Sequence, residues 1–354
     1  MPVNRIEVRA FSAFQAIDIE FSPGLNVFIG ENSTGKSHLM KLVYALIKPF
    51  EDAGPPSSED PKRSKVRLED KLAGVFKPDE RRLGRLVYRR VGRHSARVRL
   101  LHNGGKTVGF SLTTLDTFRP LTLKPGRTPP SIFVPSREAL AMYEGFIAAY
   151  EGRELSFDET YFDLCKALSA TPLRGPRMKE AQVILGPLER VLGAKVVLRG
   201  GRFYLKSPRG TIEAHLLAEG FRKIASIVHL VANGTLMKNA VLFWDEPEAN
   251  LNPRLITQVA QTLRLLAAGG VQIILATHDY LLSHELALAV EYGTAPVVPT
   301  RFFAFARQKP SGPVQIQAAD RLAELKDNAI LQEFAAHYDR EQRLFMTSQS
   351  EAGK

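Results

Sequence analysis

The 354 residues include a single cysteine, Cys165. No intrachain disulfide is possible, and a small secreted fold held by bridges is excluded. No stretch approaches the ~20 consecutive apolar residues of a spanning helix. The opening MPVNRIEVRAFSAF has no apolar leader core, so the expectation is a cytoplasmic protein without membrane contact. The eight histidines are scattered and make no metal-ligand spacing with the lone cysteine. Acid is almost missing from one window: between Arg81 and Arg137 there are 13 Lys and Arg but only one acid, Asp116. That segment carries essentially all of the +11 net charge. Such a window suits a polyanion, nucleic acid above all, and a solvated arginine-rich surface is the alternative.

The chain is long enough for one large α/β domain or two small ones. Ile6–Val8 and Ile17–Phe21 read as short strands, Leu25–Ile29 as an apolar strand, and Lys36–Ile47 as a helix stopped by Pro49. Residues 51–65 are rich in Pro, Ser and charge and read as a connector. Arg85–Val91, Ala96–His102 and Lys106–Leu112 alternate as strands, with Asn103-Gly104-Gly105 as a hairpin turn. Pro-rich residues 120–130 lead to a short strand, Ser131–Val134. Residues 137–192 are mainly helical, with breaks that include Gly186-Pro187. A meander over residues 195–214 follows, then a helix at Phe221–Val231. Ala240–Trp244 and Val271–Ala276 are apolar enough for central parallel strands. Strands Arg301–Ala306 and Val314–Gln317 precede a helix expected over Asp320–Phe345, its apolar stripe docked on the body.

Gly30-Glu31-Asn32-Ser33-Thr34-Gly35-Lys36-Ser37 fits G-x-x-x-x-G-K-[ST] between an apolar strand and a helix. Gly30 and Gly35 permit a loop whose N–H groups, including those of Asn32, Ser33 and Thr34, wrap a phosphate. The helix N-terminus points at the same anion. Lys36 would neutralise the β- and γ-phosphates, and the Ser37 hydroxyl would ligate Mg²⁺. The strand Val241–Trp244 ends in Asp245 and Glu246, which suit a metal-holding acid and a general base for water. The strand Ile273–Ala276 runs into Thr277-His278-Asp279, which places His278 as a γ-phosphate sensor.

These motifs resemble the ABC-type ATPase heads of the SMC, RecF and OLD class. FSAFQAIDIEFSPGLNVFIGENSTGKSHLMKLVYAL looks like their N-terminal half. VLFWDEPEANLNP looks like their Walker B motif and D-loop, and LATHDY like their switch-histidine loop. FVPSREALAMYEGF and LLAEGFRKIASIVHL look like the AAA-type ABC ATPases of bacterial defence or toxin loci. The resemblance implies an α/β fold: a P-loop NTPase head with a mixed central sheet, an antiparallel β lobe and a short helical lobe. The implied divisions are 1–50 for the Walker A half of the core, 51–136 for a basic β lobe and 137–194 for a helical lobe. Residues 195–300 would carry the signature, Walker B, D-loop and switch histidine, with strands and a helix over 301–354.

It also implies ATP and Mg²⁺ as ligands and a homodimer or higher homo-oligomer closed head-to-tail on ATP. The signature of one chain, Leu217-Ala218-Glu219-Gly220, would face the P-loop of the other, with Gly220 and the D-loop's Asn250 as contacts. Two departures stand out: Ala218 replaces the usual signature serine, and Pro135-Ser136-Arg137-Glu138 has no Q-loop glutamine. Residues 137–192 are too short for an SMC coiled coil, and no D-x-D cluster of a Toprim nuclease follows His278. Any nuclease or toxin action would therefore come from a separately encoded effector. The cycle would control that effector, or double-stranded DNA held by residues 81–137. A slow-turnover ATP-bound scaffold and a RecF-like repair ATPase are the alternatives.

Overall fold

The computed structural model describes residues 2–51, 61–102, 104–124, 128–307, 309 and 312–352. Alternating burial near the N-terminus builds β1 (Val3–Phe11) and β2 (Phe14–Glu20). They form one antiparallel sheet with β4 (Ser95–His102), β5 (Lys106–Thr113) and β6 (Phe118–Lys124), in the order β2-β1-β4-β5-β6. The expected division at residue 50 therefore cuts through a sheet, because the basic strands extend the one that β1 and β2 begin.

A second sheet, in the order β14-β13-β3-β12-β11-β7, contains β3 (Leu25–Gly30), β7 (Ser131–Val134), β11 (Val241–Asp245) and β12 (Gln272–Thr277). β13 (Thr300–Arg307) continues it in parallel, and β14 (Val314–Ala319) closes the edge antiparallel. A separate meander consists of β8 (Lys195–Arg199), β9 (Arg202–Ser207) and β10 (Gly210–Glu213).

The helix α1 (Lys36–Ile47) lies between the two large sheets, which explains why it is apolar nearly all round. Leu39, Met40 and Leu42–Ile47 are fully buried there, against Phe28, Phe133 and Phe243 on one side and Val8, Val98 and Phe110 on the other. The helix α2 (Pro61–Phe76) packs beside α1. On the opposite face of the central sheet lie α4 (Glu159–Leu168), α5 (Pro176–Leu192), α6 (Glu219–Ala232), α7 (Pro253–Ala268) and α8 (Tyr280–Glu291). They cover Val27, Leu242, Trp244 and Leu275, so successive residues of each strand face the two layers in turn. The short α3 (Phe146–Glu151) packs on α4 around Cys165, whose thiol burial pushes up to about 12 and so keeps protonated. Lys41 bonds Asp158 at 2.7 Å, Tyr44 donates to Asp163 at 2.6 Å, and Lys71 bridges Glu159 and Asp163, fastening α4 to α1 and α2.

Several expectations are corrected. Arg85–Val91 is not a strand: Leu83–Leu86 is a 3-10 turn whose Gly84 N–H is held by Asp116, and only Val87 bridges to Phe11. Pro187 does not break α5, whose buried face (Ala181, Ile184, Leu185, Leu188 and Leu192) runs past it on both sides. The last helix, α9 (Ala329–Ala352), begins later than expected, after a 3-10 turn at Leu322–Glu324. Leu322 and Leu325 dock on the body, but Phe334 and Tyr338 stay largely exposed. Residues 52–60 of the connector, Asn103 of the hairpin turn and 125–127 of the Pro-rich stretch lie outside the described residues.

The register of the antiparallel sheet aligns residues that the sequence leaves apart. Ala16, Arg9, Arg97, Ser111 and Arg119 stand opposite one another across five strands. Arg9, Arg97 and Arg119 are exposed, and among the described residues none makes an ion pair. Like charges directly opposite are unfavourable in a sheet.

Gln272, the first residue of β12, joins the two large sheets. Fully buried, it accepts from the Val3 N–H and donates to the Val3 and Ser22 carbonyls, all at 2.8 Å. Gln272→Leu keeps the volume and strands these groups, so it should destabilise the chain by about 2–4 kcal/mol in denaturant unfolding. An unchanged midpoint would refute this joint.

Candidate nucleotide site

Three loops leave the same edge of the central sheet because its parallel strands are aligned. Asp245 pairs with Ala276, and Ala276 pairs with Phe28. The phosphate loop after β3, the acids after β11 and the histidine after β12 therefore meet at the strands' carboxyl ends, where open α/β sheets take their ligands. A cleft of about 500 Å³ lies there, lined by Asn32–His38, Ser12, Ala13 and Glu246.

The loop geometry follows from its residue types. Gly35 caps α1 with φ of 90°, a left-handed conformation that suits glycine, and Ser33 is also left-handed at 64°. A side chain on Gly30 would collide with the Phe305 carbonyl. Thr34 Oγ1 donates to the Glu31 carbonyl at 2.8 Å, and Arg307 holds the Ser33 carbonyl at 3.1 Å. Lys36 is buried and donates to the carbonyls of Gly30 at 2.6 Å and Glu31 at 2.8 Å. Burial holds its pKa below the usual lysine value, although Glu246 and Asp245 pull the other way.

The second acid pair completes the cleft. Ser37 Oγ donates to Asp245 Oδ1 at 2.9 Å. Burial raises the Asp245 pKa, partly offset by that bond. Two hard oxygen donors at one point suit Mg²⁺, which keeps several waters and takes phosphate oxygens besides. Glu246 has φ of 47°, strained for a non-glycine residue, and its N–H continues the ladder to the Ala276 carbonyl at 2.9 Å. Its carboxylate lies 3.2 Å from His278 Nδ1.

The signature and D-loop are joined within this chain. Ala218 caps α6 with no side-chain hydrogen bond. A Cβ on Gly220 would stand 2.6 Å from a Leu251 methyl and 2.7 Å from a Leu255 methyl, so a side chain there would displace both leucines. Asn250, left-handed at 63°, donates to Glu219 at 3.2 Å. Of the two basic residues that follow the signature, Lys223 is buried and Arg222 half-buried. Arg222 bonds Glu138 at 2.7 Å, and Lys223 the Ala249 carbonyl at 2.6 Å. Phe11 and Phe14, beside the phosphate loop, are fully buried core residues. Sequence reasoning gave no role to Glu138 or Glu248; only the acid at Glu248, two places after Glu246, was a visible signal.

Comparison with known proteins agrees with this geometry. Residues 1–83 match a family model described as "AAA ATPase domain". Residues 153–283 match one described as "AAA domain, putative AbiEii toxin, Type IV TA system". A 46-residue stretch is 44% identical to the DNA replication and repair protein RecF of Streptococcus suis, and 39% identical to that of Haemophilus ducreyi. These matches span 13% of this chain and 13% of each relative. An Smc head bound to the C-winged helix domain of ScpA superposes with a TM-score of 0.53 at 12% identity, over 90% of this chain and 98% of that one. The Smc head with an extended coiled coil bound to the C-terminal domain of ScpA, from Pyrococcus furiosus, gives 0.51 at 11%, over 96% and 99%. The chain has the fold of an SMC-type head and resembles SMC/RecF-like ABC-type P-loop ATPases. No helix among the head's described residues is long and apolar enough to cross a membrane.

Lys36→Ala should remove ATP binding by the head in calorimetric titration, since it deletes the ammonium held on the Gly30 and Glu31 carbonyls at the phosphate loop. Retained affinity would refute the placement of the phosphates.

Proposed function

We propose that this head binds and hydrolyses ATP with Mg²⁺, closing head-to-tail on a second copy of itself, and that the cycle controls DNA or a partner effector. The observation that carries this is the Ser37–Asp245 bond, which brings the phosphate loop and the metal-holding acid to one point, with Glu246 and His278 at the mouth of the same cleft. Bound Mg²⁺ would lie on Ser37 and Asp245 and supply charge neutralisation to the phosphates. The N–H groups of Asn32–Gly35 and the start of α1 hold the β-phosphate. Lys36 exchanges its carbonyl partners for phosphate oxygens. Glu246 takes a proton from the attacking water as the water oxygen bonds γ-phosphorus and the bond to the β-phosphate oxygen breaks, leaving ADP and phosphate. His278 contacts the γ-phosphate.

Across the dimer, the first N–H groups of α6, those of Glu219 and Gly220, and Asn250 would face the partner's nucleotide. Coupling needs the closed and open states to differ in affinity for what they control. The arginines aligned as Arg9, Arg97 and Arg119 favour duplex DNA. Phe110 and Phe118 are buried in that lobe, stacked on each other, so these two rings offer no platform for single-stranded bases. A separately encoded nuclease or toxin as effector rests on the toxin-system wording of the family model matched by residues 153–283. A second reading, a slow-turnover ATP-bound scaffold, is favoured by Ala218, which offers no hydroxyl to the γ-phosphate.

Glu246→Gln should reduce steady-state ATP hydrolysis by about 10²-fold or more while ATP still binds and dimers accumulate in sedimentation. Normal turnover would remove Glu246 as the base. Turnover near background in the unaltered protein, with ATP bound, would establish the scaffold reading. The triple change Arg9→Glu, Arg97→Glu and Arg119→Glu should weaken duplex DNA binding and cut its logarithmic salt slope by about three. Unaltered affinity would return this face to ordinary surface.

A further inference from the structure

Three consecutive D-loop residues are each fastened, and to different parts of the head. Ala249, through its carbonyl, holds the buried ammonium of Lys223. Asn250 bonds Glu219, at the start of the same signature helix. Glu248 points the other way, towards the switch loop. Its side chain is 4% exposed. Its Oε1 accepts from Thr277 Oγ1 at 2.7 Å and from the His278 N–H at 3.1 Å, and lies 3.8 Å from His278 Nδ1. Its Oε2 is buried with no hydrogen-bond partner among the described residues. A buried carboxylate that satisfies one oxygen two residues from the general base, and leaves the other unpaired, is costly as mere packing. An apolar side chain would fill this space without that cost.

From this arrangement we infer that Glu248 is a positioning residue, tying the D-loop to His278 and thereby setting which acid the imidazole faces. In the isolated head His278 Nδ1 is nearer Glu246, at 3.2 Å, than Glu248, at 3.8 Å. The histidine thus occupies the carboxylate that must receive the water's proton. Both acids are within one small ring rotation of it. An approaching partner meets Asn250 and draws the D-loop from Glu219. Glu248 moves with that loop and carries the Thr277–His278 backbone, freeing Glu246 for water as the imidazole turns to the γ-phosphate. Closure of the dimer is in this way converted into readiness for hydrolysis. The two-state element is the D-loop itself, held by the signature helix in one state and by the partner in the other.

The inference rests on the ATPase reading, and its test separates the two. ATP hydrolysis and ATP affinity are measured for the full chain, for Glu248→Ala and for Glu248→Gln. Glutamine keeps an oxygen to accept from Thr277 and His278. The alanine variant should lose about 30-fold or more in kcat with ATP affinity within about 3-fold, and the glutamine variant should recover to within about 5-fold of the unaltered protein. Full turnover in the alanine variant overturns the inference, as does a parallel loss of ATP affinity that glutamine does not rescue. A second readout needs no turnover: hydrogen exchange at the His278 amide should accelerate about 10-fold in the alanine variant and be restored by glutamine. Equal exchange in all three proteins overturns the inference even if the unaltered head hydrolyses nothing. Absent hydrolysis with altered exchange would instead count against the ATPase reading alone.

Discussion

The parallel register of β3, β12 and β11 is the constraint on which the site depends. Each strand's last residues stand level with its neighbour's, Phe28 with Ala276 and Ala276 with Asp245. A slip of one residue would reverse which side chains meet α1 and which meet the outer helices. It would also move Asp245 away from Ser37, and the 2.9 Å bond between them could not form. Alternation along the strands enforces the register, because Phe243 must enter one layer and Leu242 and Trp244 the other.

That alignment is held from both sides. The helix carrying Lys36 and Ser37 is buried between two sheets, so the phosphate loop leaves a support with little freedom to shift. Buried polar side chains prevent the layers from sliding. Gln272 stitches the first strand to the central sheet, and Asn26 links Ser22 to the Ile273 carbonyl at 3.1 Å. At the other end, Lys41, Tyr44 and Lys71 fasten the helical lobe to α1 and α2. Each of these groups is costly to bury unless its intended partner is in place, which makes them devices of specificity as much as of stability.

Much of the site was legible because it is contiguous in sequence. Gly30–Ser37 carries its own turn chemistry, and Asp245, Glu246 and His278 follow directly from apolar strands that could only be central. The same holds for the elements: both apolar strands, the P-loop helix and the hairpin strands near 96–112 appear where their patterns put them. Misreadings occurred where tertiary partners outweigh local pattern. Arg85–Val91 alternates like a strand, yet Asp116, over thirty residues away, captures Gly84 and turns the chain. Arg222 and Lys223 look like surface charge, yet Glu138 and the Ala249 carbonyl draw them inside. The stripe on the last helix reads as a docking face, but docking ends within its first turns: Ile330 packs on the core, Phe334 stacks on Tyr280 while half exposed, and Tyr338 is exposed.

The sequence by itself determined the phosphate-loop chemistry, the acids and histidine that accompany it, and the concentration of positive charge in one segment. These depend on residue type and short spacing, which local backbone preferences convert directly into loops and strand ends. Only the tertiary structure decided which distant groups meet. It aligned Arg9 with Arg97 and Arg119, bound the D-loop to the signature helix, and placed Glu248 under His278. Such contacts arise from strand register and layer packing, which bring together residues with no shared local pattern.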